Sequence, residues 1–220
     1  MRLITYPEWR QLLHAKARAL AAPGDERTPR APGTWLIGID GAGASGKSSI
    51  ARQLAGSSTD MQVVALDDFY RPSHERFRGP VSVRPVAADY DLERLRRELL
   101  EPLASGRAAA YRRYDWHADA IAEARTAVAG PIVVLEGVYA TSSQLAPFLD
   151  VAVWVECPRQ LRLARGLARD GEGARPRWEH DWMPGEDLYM EKERPRDRAA
   201  FVCDGARDDL AARVALIHER

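Results

Sequence analysis

Gly41-Ala42-Gly43-Ala44-Ser45-Gly46-Lys47-Ser48 matches the spacing G-x-x-x-x-G-K-[ST] in full. In such a loop the backbone N–H groups wrap a chain of phosphates, the lysine reaches the terminal phosphoryl groups, and the serine hydroxyl holds Mg²⁺. Gly41, Gly43 and Gly46 also satisfy G-x-G-x-x-G, and Asp67 stands where the ribose-binding acid of a dinucleotide fold would stand. Lys47-Ser48 separates the two readings, because a dinucleotide-binding helix needs neither residue. The expected phosphate set is therefore Gly41, Ala42, Gly43, Ala44, Ser45, Gly46, Lys47, Ser48 and Ser49, serving ATP with Mg²⁺.

Phosphoryl transfer also needs a carboxylate to orient or deprotonate the attacking hydroxyl, and metal ligands to offset charge. Asp67, Asp68 and Glu136 each follow a short apolar run, the place where a strand would deliver a side chain to a sheet edge. Asp67 and Glu136 are the expected carriers of a catalytic or metal role, with Lys47 stabilising the transferred group. Ser48, Glu136 and Asp67 are the expected metal ligands. Asp68 serves equally well as a helix cap or a supporting partner.

The elements that must position these residues are legible around them. Thr5 and Glu8 form a capping-box pattern opening a helix, with Trp9, Leu12, Leu13, Ala17 and Leu20 at helical spacing up to Pro23. Residues 23–33 read as a linker. Trp35–Asp40 is an apolar strand running into the glycine loop, and a helix follows from Lys47 to Ala55. Val63–Leu66, Ile132–Leu135 and Val151–Val155 are further strands, with Ala200–Cys203 a weaker fifth. Residues 71–88 have no period and read as a loop over the site, while Leu92, Leu95, Leu99, Leu100 and Leu103 mark an amphipathic helix. Leu161–Ala168 is helical, and a last helix is expected after Gly205. Alternation of this kind predicts an α/β, three-layer P-loop fold with a five-stranded parallel sheet, whose ligands sit at the carboxyl ends of the strands. The whole chain, 1–220, reads as a single domain with an N-terminal helix over 1–22 and a helical lid over about 165–185.

Composition narrows the setting. With 32 basic and 32 acidic side chains in 220 residues the formal net charge is zero, so nothing global steers the chain to nucleic acid or a membrane. Lys16, Lys47 and Lys192 are the only lysines, so Lys47 stands out in a chain that otherwise uses arginine. Cys157 and Cys203 are expected as buried free thiols in a reducing cytoplasm, and no apolar run is long enough to span a bilayer. Homo-oligomerisation is left open.

The ordered set Gly41–Ser48, Asp67-Asp68-Phe69-Tyr70, Tyr114-Asp115-Trp116, Glu136-Gly137 and Arg162-Leu163-Ala164-Arg165 to Arg169-Asp170 resembles the uridine kinase and phosphoribulokinase-like family of P-loop kinases. The resemblance spans about residues 35–170. It implies that Asp67 is the base, that Glu136 assists Mg²⁺, and that Tyr70 and Tyr114, with Asp115 beside them, line the acceptor pocket. It also implies that Arg169 neutralises phosphates from a lid helix and that the strand carrying Glu136 lies beside the strand carrying the glycine loop. Arg165, four residues earlier, shares the face of Arg169; Arg162 reads as part of a solvated face. Trp178, Trp182, Glu186 and Tyr189 recur on one helix face, with Trp178 read as packing and Trp182 as a candidate pocket wall. Uridine kinases carry an Asp that grips the ribose, whereas Val83-Arg84-Pro85-Val86 offers no carboxylate; their His and Arg beyond the Tyr-Asp-Phe motif are replaced by Asp119 and Ile121.

A nucleoside or nucleoside-like acceptor is the first expectation, and a sugar or pantothenate type the second. A regulatory GTPase is disfavoured, since its Asn-Lys-x-Asp motif cannot be written in a chain without asparagine. A P-loop ATPase with no small-molecule acceptor is the remaining alternative.

Overall fold

The computed structural model describes residues 2–20, 34–56, 61–127, 132–206 and 214–216. Its elements in chain order are β1 (Arg2–Ile4), α1 (Tyr6–Leu20), β2 (Trp35–Asp40), α2 (Lys47–Gly56), β3 (Met61–Ala65), α3 (Leu92–Leu95), α4 (Glu101–Ala104), β4 (Ala109–Asp115), β5 (Ala120–Ala127), β6 (Ile132–Glu136), β7 (Val151–Glu156), α5 (Arg159–Asp170), α6 (Arg175–Arg177), α7 (Met183–Glu193), α8 (Pro195–Arg198), β8 (Phe201–Asp204) and β9 (Val214–Leu216). Wider π turns, Arg96–Leu100 and Trp178–Trp182, join α3 to α4 and α6 to α7.

Successive residues of the central strands feed opposite layers, as a pleated strand requires. Leu36, Val133 and Leu135 join one apolar cluster, while Ile37, Ile39, Ile132 and Val134 join the other. All six residues of β2 are buried, which explains a strand with no polar alternation. On one side Trp9 and Leu13 of α1 pack with Ile50, Ala51 and Leu54 of α2, and Trp9 meets Phe201 edge-on at 5.9 Å. Thr5 and Glu8 form the expected capping box: the Thr5 N–H and hydroxyl donate to Glu8 at 2.7 and 2.9 Å, and the Glu8 N–H returns to Thr5 Oγ1 at 3.4 Å.

Five strands run parallel in the order β8-β7-β2-β6-β3, with β6 beside β2 as the resemblance implied. In this register Ile39 and Ala65 both sit opposite Glu136, so three strands end at one level. The chain thus leaves the sheet at Gly41, Leu66 and Gly137 along a single edge.

Three features depart from the sequence reading. β9 pairs antiparallel with β8, and β1 with β9, extending the sheet to seven strands. Val214–Leu216 is therefore strand where a closing helix was expected, and a strand precedes the N-terminal helix. A three-residue apolar run carries no period, and the open side of β8 supplies hydrogen-bond partners that decide its state. Residues 207–213, and the linker expected over 23–33, lie outside the described residues. Thirdly, β4 and β5 form a separate antiparallel hairpin whose register shifts between Arg112 and Tyr114. Its Ala/Arg-rich strands lack the β-branched pattern that would announce them.

Candidate active site

Asp40 ends β2 and anchors the glycine loop from behind. It is fully buried and accepts five hydrogen bonds: Gly41 N–H (2.6 Å) and Tyr139 N–H (3.0 Å) on Oδ1, then Thr141 N–H (2.9 Å), Thr141 Oγ1 (2.8 Å) and the Tyr189 hydroxyl (2.6 Å) on Oδ2. Burial raises its carboxyl above the ordinary value, and the donors pull the other way. The loop after β6, which carries Tyr139 in a left-handed conformation (φ 74°), is thereby tied to the loop after β2.

From this anchor the loop turns into α2, where Lys47 is 8% exposed with its ammonium 3.4 Å from the Ala42 carbonyl. Ser48 Oγ donates to Glu136 Oε2 at 3.0 Å. Burial raises the Glu136 carboxyl, opposed by the Lys47 charge and the Ser48 hydrogen bond. Ser45 Oγ, at the base of the loop, is buried without a partner in the protein. A hydroxyl beside a carboxylate suits a hard cation that takes one or two protein oxygens and fills its remaining positions with phosphate and water. Among the described residues no group of three or more His, Cys, Asp or Glu side chains converges as a self-contained metal site. Lys47, Ser48 and Glu136 thus fit a Mg²⁺–phosphate pair.

The neighbouring acids on the β3 exit diverge. Asp67 faces the cavity and accepts from the Tyr90 hydroxyl at 3.0 Å. Burial, reinforced by the Asp67 charge, raises the Tyr90 hydroxyl well above its ordinary value, so it stays a donor. Asp68 turns to the hairpin, accepting from the Tyr111 hydroxyl (3.1 Å) and pairing with Arg113 (4.0 Å).

All of this opens on one cavity of about 710 Å³. Gly43, Ala44, Gly46, Lys47 and Ser48 of the glycine loop line it with Ser49, Asp67, Glu136, Arg165 and Arg169, and Tyr70, Trp182 and Trp116 contribute rings; Gly41, Ala42 and Ser45 of the expected phosphate set do not line it. Tyr114 and Asp115 are not among the lining residues. The Tyr114 hydroxyl donates to Asp119 at 2.6 Å under the Arg76 guanidinium. Asp115 caps the hairpin turn by accepting from the N–H groups of His117 (2.8 Å) and Ala118 (3.0 Å). Trp116, in the turn just past β4, reaches the cavity instead, stacked on Tyr70 at 4.8 Å.

The arginine helix α5 splits by face. Arg165 donates to the Gly205 (2.6 Å) and Ala206 (3.2 Å) carbonyls, and Arg169 chelates Asp170 through Nε (2.7 Å) and Nη2 (3.0 Å). Arg162 corrects the sequence reading. It is 3% exposed rather than solvated, because Glu186 meets it at 2.8 Å inside the protein. Trp178 is packed as expected, at 1% exposure. Cys203 is buried, while Cys157 is only partly so.

This combination of loop, strand-end acids and arginine helix matches the profile of the Phosphoribulokinase / Uridine kinase family over residues 36–175. The chain belongs to this family. Within it, the uridine kinase of Tolumonas auensis is 31% identical over 153 residues, which is 63% of this chain and 69% of the relative. The uridine kinase of Saccharomyces cerevisiae is 28% identical over 62% of this chain, but that stretch is only 29% of the yeast protein. Among solved structures, a possible uridine kinase from Bacillus stearothermophilus superposes with a TM-score of 0.62 at 23% identity, covering 89% of this chain and 98% of its own. A D-glycerate 3-kinase from Cryptococcus neoformans gives 0.62 at 13% identity, covering 91% and 95%. These two structures share the fold. Among the described residues no helix is long and apolar enough to cross a membrane.

Several cavity residues of this family member escaped the sequence reading. Arg84 lies on the wall between Asp89 (3.8 Å) and Asp181, and Tyr139 stacks edge-on with Tyr90 at 5.6 Å. Gly205 abuts the loop so closely that a Cβ there would stand 1.9 Å from the Ser45 carbonyl. Nothing in their local pattern marks Arg84, Asp89 or Tyr90; Gly205 was visible only as a break after a strand.

Proposed function

We propose that the chain is an ATP-dependent kinase that transfers the γ-phosphoryl group to a hydroxyl of a nucleoside or nucleoside-like acceptor. One observation carries the reading: Lys47, Ser48, Glu136 and Asp67 line the same cavity as a wall of aromatic rings. Lys47 and the loop N–H groups hold the phosphates; Ser48 and Glu136 would hold Mg²⁺, which would offset the charge that develops during transfer. Tyr90 aims Asp67. The acceptor oxygen approaches the γ-phosphorus as its proton passes to an Asp67 carboxylate oxygen; the new O–P bond forms, the bond to the β-phosphate oxygen breaks, and ADP leaves. Arg165 and Arg169 flank the phosphate end, where cations stabilise the transferred group. Tyr70, Trp116 and Trp182 offer flat apolar faces to the acceptor; Tyr114 and Asp115 support them from behind through the hairpin.

A second reading is favoured by Arg84. It occupies the segment where uridine kinases carry their ribose-binding acid, with Asp89 and Asp181 on either side. This arrangement suits a different hydroxylated metabolite, of the sugar or pantothenate type, on the same phosphate machinery.

The decisive experiment is an acceptor screen with purified protein, ATP and Mg²⁺, reading acceptor-dependent ADP release. Asp67→Asn should lower transfer by about 10²-fold or more while nucleotide binding persists. ADP release that no nucleoside, sugar or hydroxy acid stimulates would replace the kinase with an ATPase.

A further inference from the structure

Asp40 and Glu186 are the two buried carboxylates among the described residues, and the five donors to Asp40 account for the first. Glu186 has a different set of partners. Its Oε1 accepts from the Gly43 N–H at 2.9 Å, and its Oε2 accepts from Arg162 Nη1 at 2.8 Å. The two side chains are 6% and 4% exposed. Trp178 completes the enclosure. Its ring lies 3.0 Å from where a Gly43 Cβ would be, and its indole N–H donates to Asp170 at 3.1 Å. It also presses on Gly166 of α5, where a Cβ would stand 2.4 Å from the ring.

We propose that Glu186 is a positioning residue that pins the third position of the P-loop to the arginine helix, so that the loop and the cavity-lining Arg165 form one preorganised phosphate site. This rests on the nucleotide-binding half of the function proposed above, and not on the identity of the acceptor. The geometry distinguishes the contact from ordinary core packing. A buried ion pair between two helices would be complete with Arg162 and Glu186 alone, yet one carboxylate oxygen is directed at a backbone N–H of the phosphate loop. Arg162 sits one turn before Arg165 on α5, so the brace and the cavity-lining arginine share one helix. Burial raises the Glu186 carboxyl, while the Arg162 charge, the Gly43 N–H and the Lys47 charge favour its ionised form. Glu186 therefore also lies within the field of the loop lysine.

Removing Glu186 alone would leave Arg162 buried and unpaired, a change that can unfold the protein. Paired variants avoid this. R162L/E186L replaces the ion pair with apolar side chains and leaves the Gly43 N–H without its acceptor. R162Q/E186Q restores a neutral acceptor for Gly43 and a partner for it. Mg·ADP binding, measured by calorimetry, should weaken about tenfold or more in the leucine pair and recover to within about threefold of the parent in the glutamine pair. A purely structural role would not give this rescue at matched Tm. Wild-type protein supplies a measurement that needs no variant: the Gly43 amide should be protected from hydrogen exchange without nucleotide. Wild-type affinity in a folded leucine pair, or prompt exchange at Gly43, would overturn the proposal while leaving the kinase reading intact. Failure of the wild type to bind Mg·ADP at all would overturn both.

Discussion

Asp40→Asn is the most informative single perturbation of the fold, because it preserves shape and inverts hydrogen-bond chemistry. All five groups around the carboxylate donate, three of them backbone N–H groups that cannot turn round. The asparagine oxygen can replace only one carboxylate oxygen. If it keeps Gly41 and Tyr139, its NH₂ faces the Thr141 N–H, which is orphaned, while the Thr141 and Tyr189 hydroxyls rotate to accept. The opposite flip orphans two N–H groups, so the first is adopted. One buried unsatisfied N–H costs about 1–3 kcal/mol. Demoting the two retained bonds from charge-assisted to neutral costs about 1 kcal/mol each. Relief of the burial that raises the Asp40 carboxyl offsets part of this. The net is about 2–4 kcal/mol, which for a chain of this size lowers Tm by roughly 4–16 °C. Differential scanning calorimetry reads it, with Thr141→Val, which removes one rotatable donor, expected to cost only about 1 kcal/mol. An Asp40→Asn protein melting within about 2 °C of the parent would refute the reasoning, since it would mean that the donors do not converge on a carboxylate.

Gly205→Ala would place a Cβ 1.9 Å from the Ser45 carbonyl, so the loop must shift; weakened nucleotide binding with a loss of about 1–3 kcal/mol in a melt is expected. Tyr90→Phe removes the hydroxyl that aims Asp67. It should lower kcat about fivefold with KM for ATP unchanged, and an unaltered kcat would dismiss Tyr90 as the aiming group. Asp170 has its carboxyl held below 3.8, first by the Arg169 hydrogen bond. A depressed value stabilises the fold above pH 3.8 and loses that contribution as pH falls through the lowered value. Asp170→Asn should therefore melt below the parent at neutral pH and converge on it once the pH falls below the lowered value, in melts across the acid range.

How far the sequence disclosed the molecule depended on who makes each contact. A phosphate is held largely by backbone N–H groups at fixed spacing, and one contiguous octapeptide announces them. The strand ends were legible for the same local reason: β2, β3 and β6 carry short apolar runs, and Asp40, Asp67 and Glu136 stand at or just past their ends. β9 and the β4–β5 hairpin were not legible, because neighbouring strands decide their state and their own residues carry no period. Arg162 shows the limit for charge. Its sequence setting is a solvated arginine-rich helix, and only the return of Glu186 from α7 converts it into a buried partner.

The proposed acceptor wall follows the opposite logic to the proposed phosphate wall. Tyr70, Arg84, Trp116, Tyr139 and Trp182 come from five separate stretches of the chain, and each is placed by a different tertiary contact. Asp40 ties down the loop bearing Tyr139, Tyr70 carries the stacked ring of Trp116, and Arg84 bridges Asp89 to Asp181. Substitution on this wall can therefore change the acceptor without disturbing Gly41–Ser48, Asp67 or Glu136, which rest on the sheet edge. That separation lets one P-loop scaffold serve different hydroxyls, and it makes Arg84, rather than any residue of the glycine loop, the place where nucleoside and non-nucleoside acceptors should be told apart.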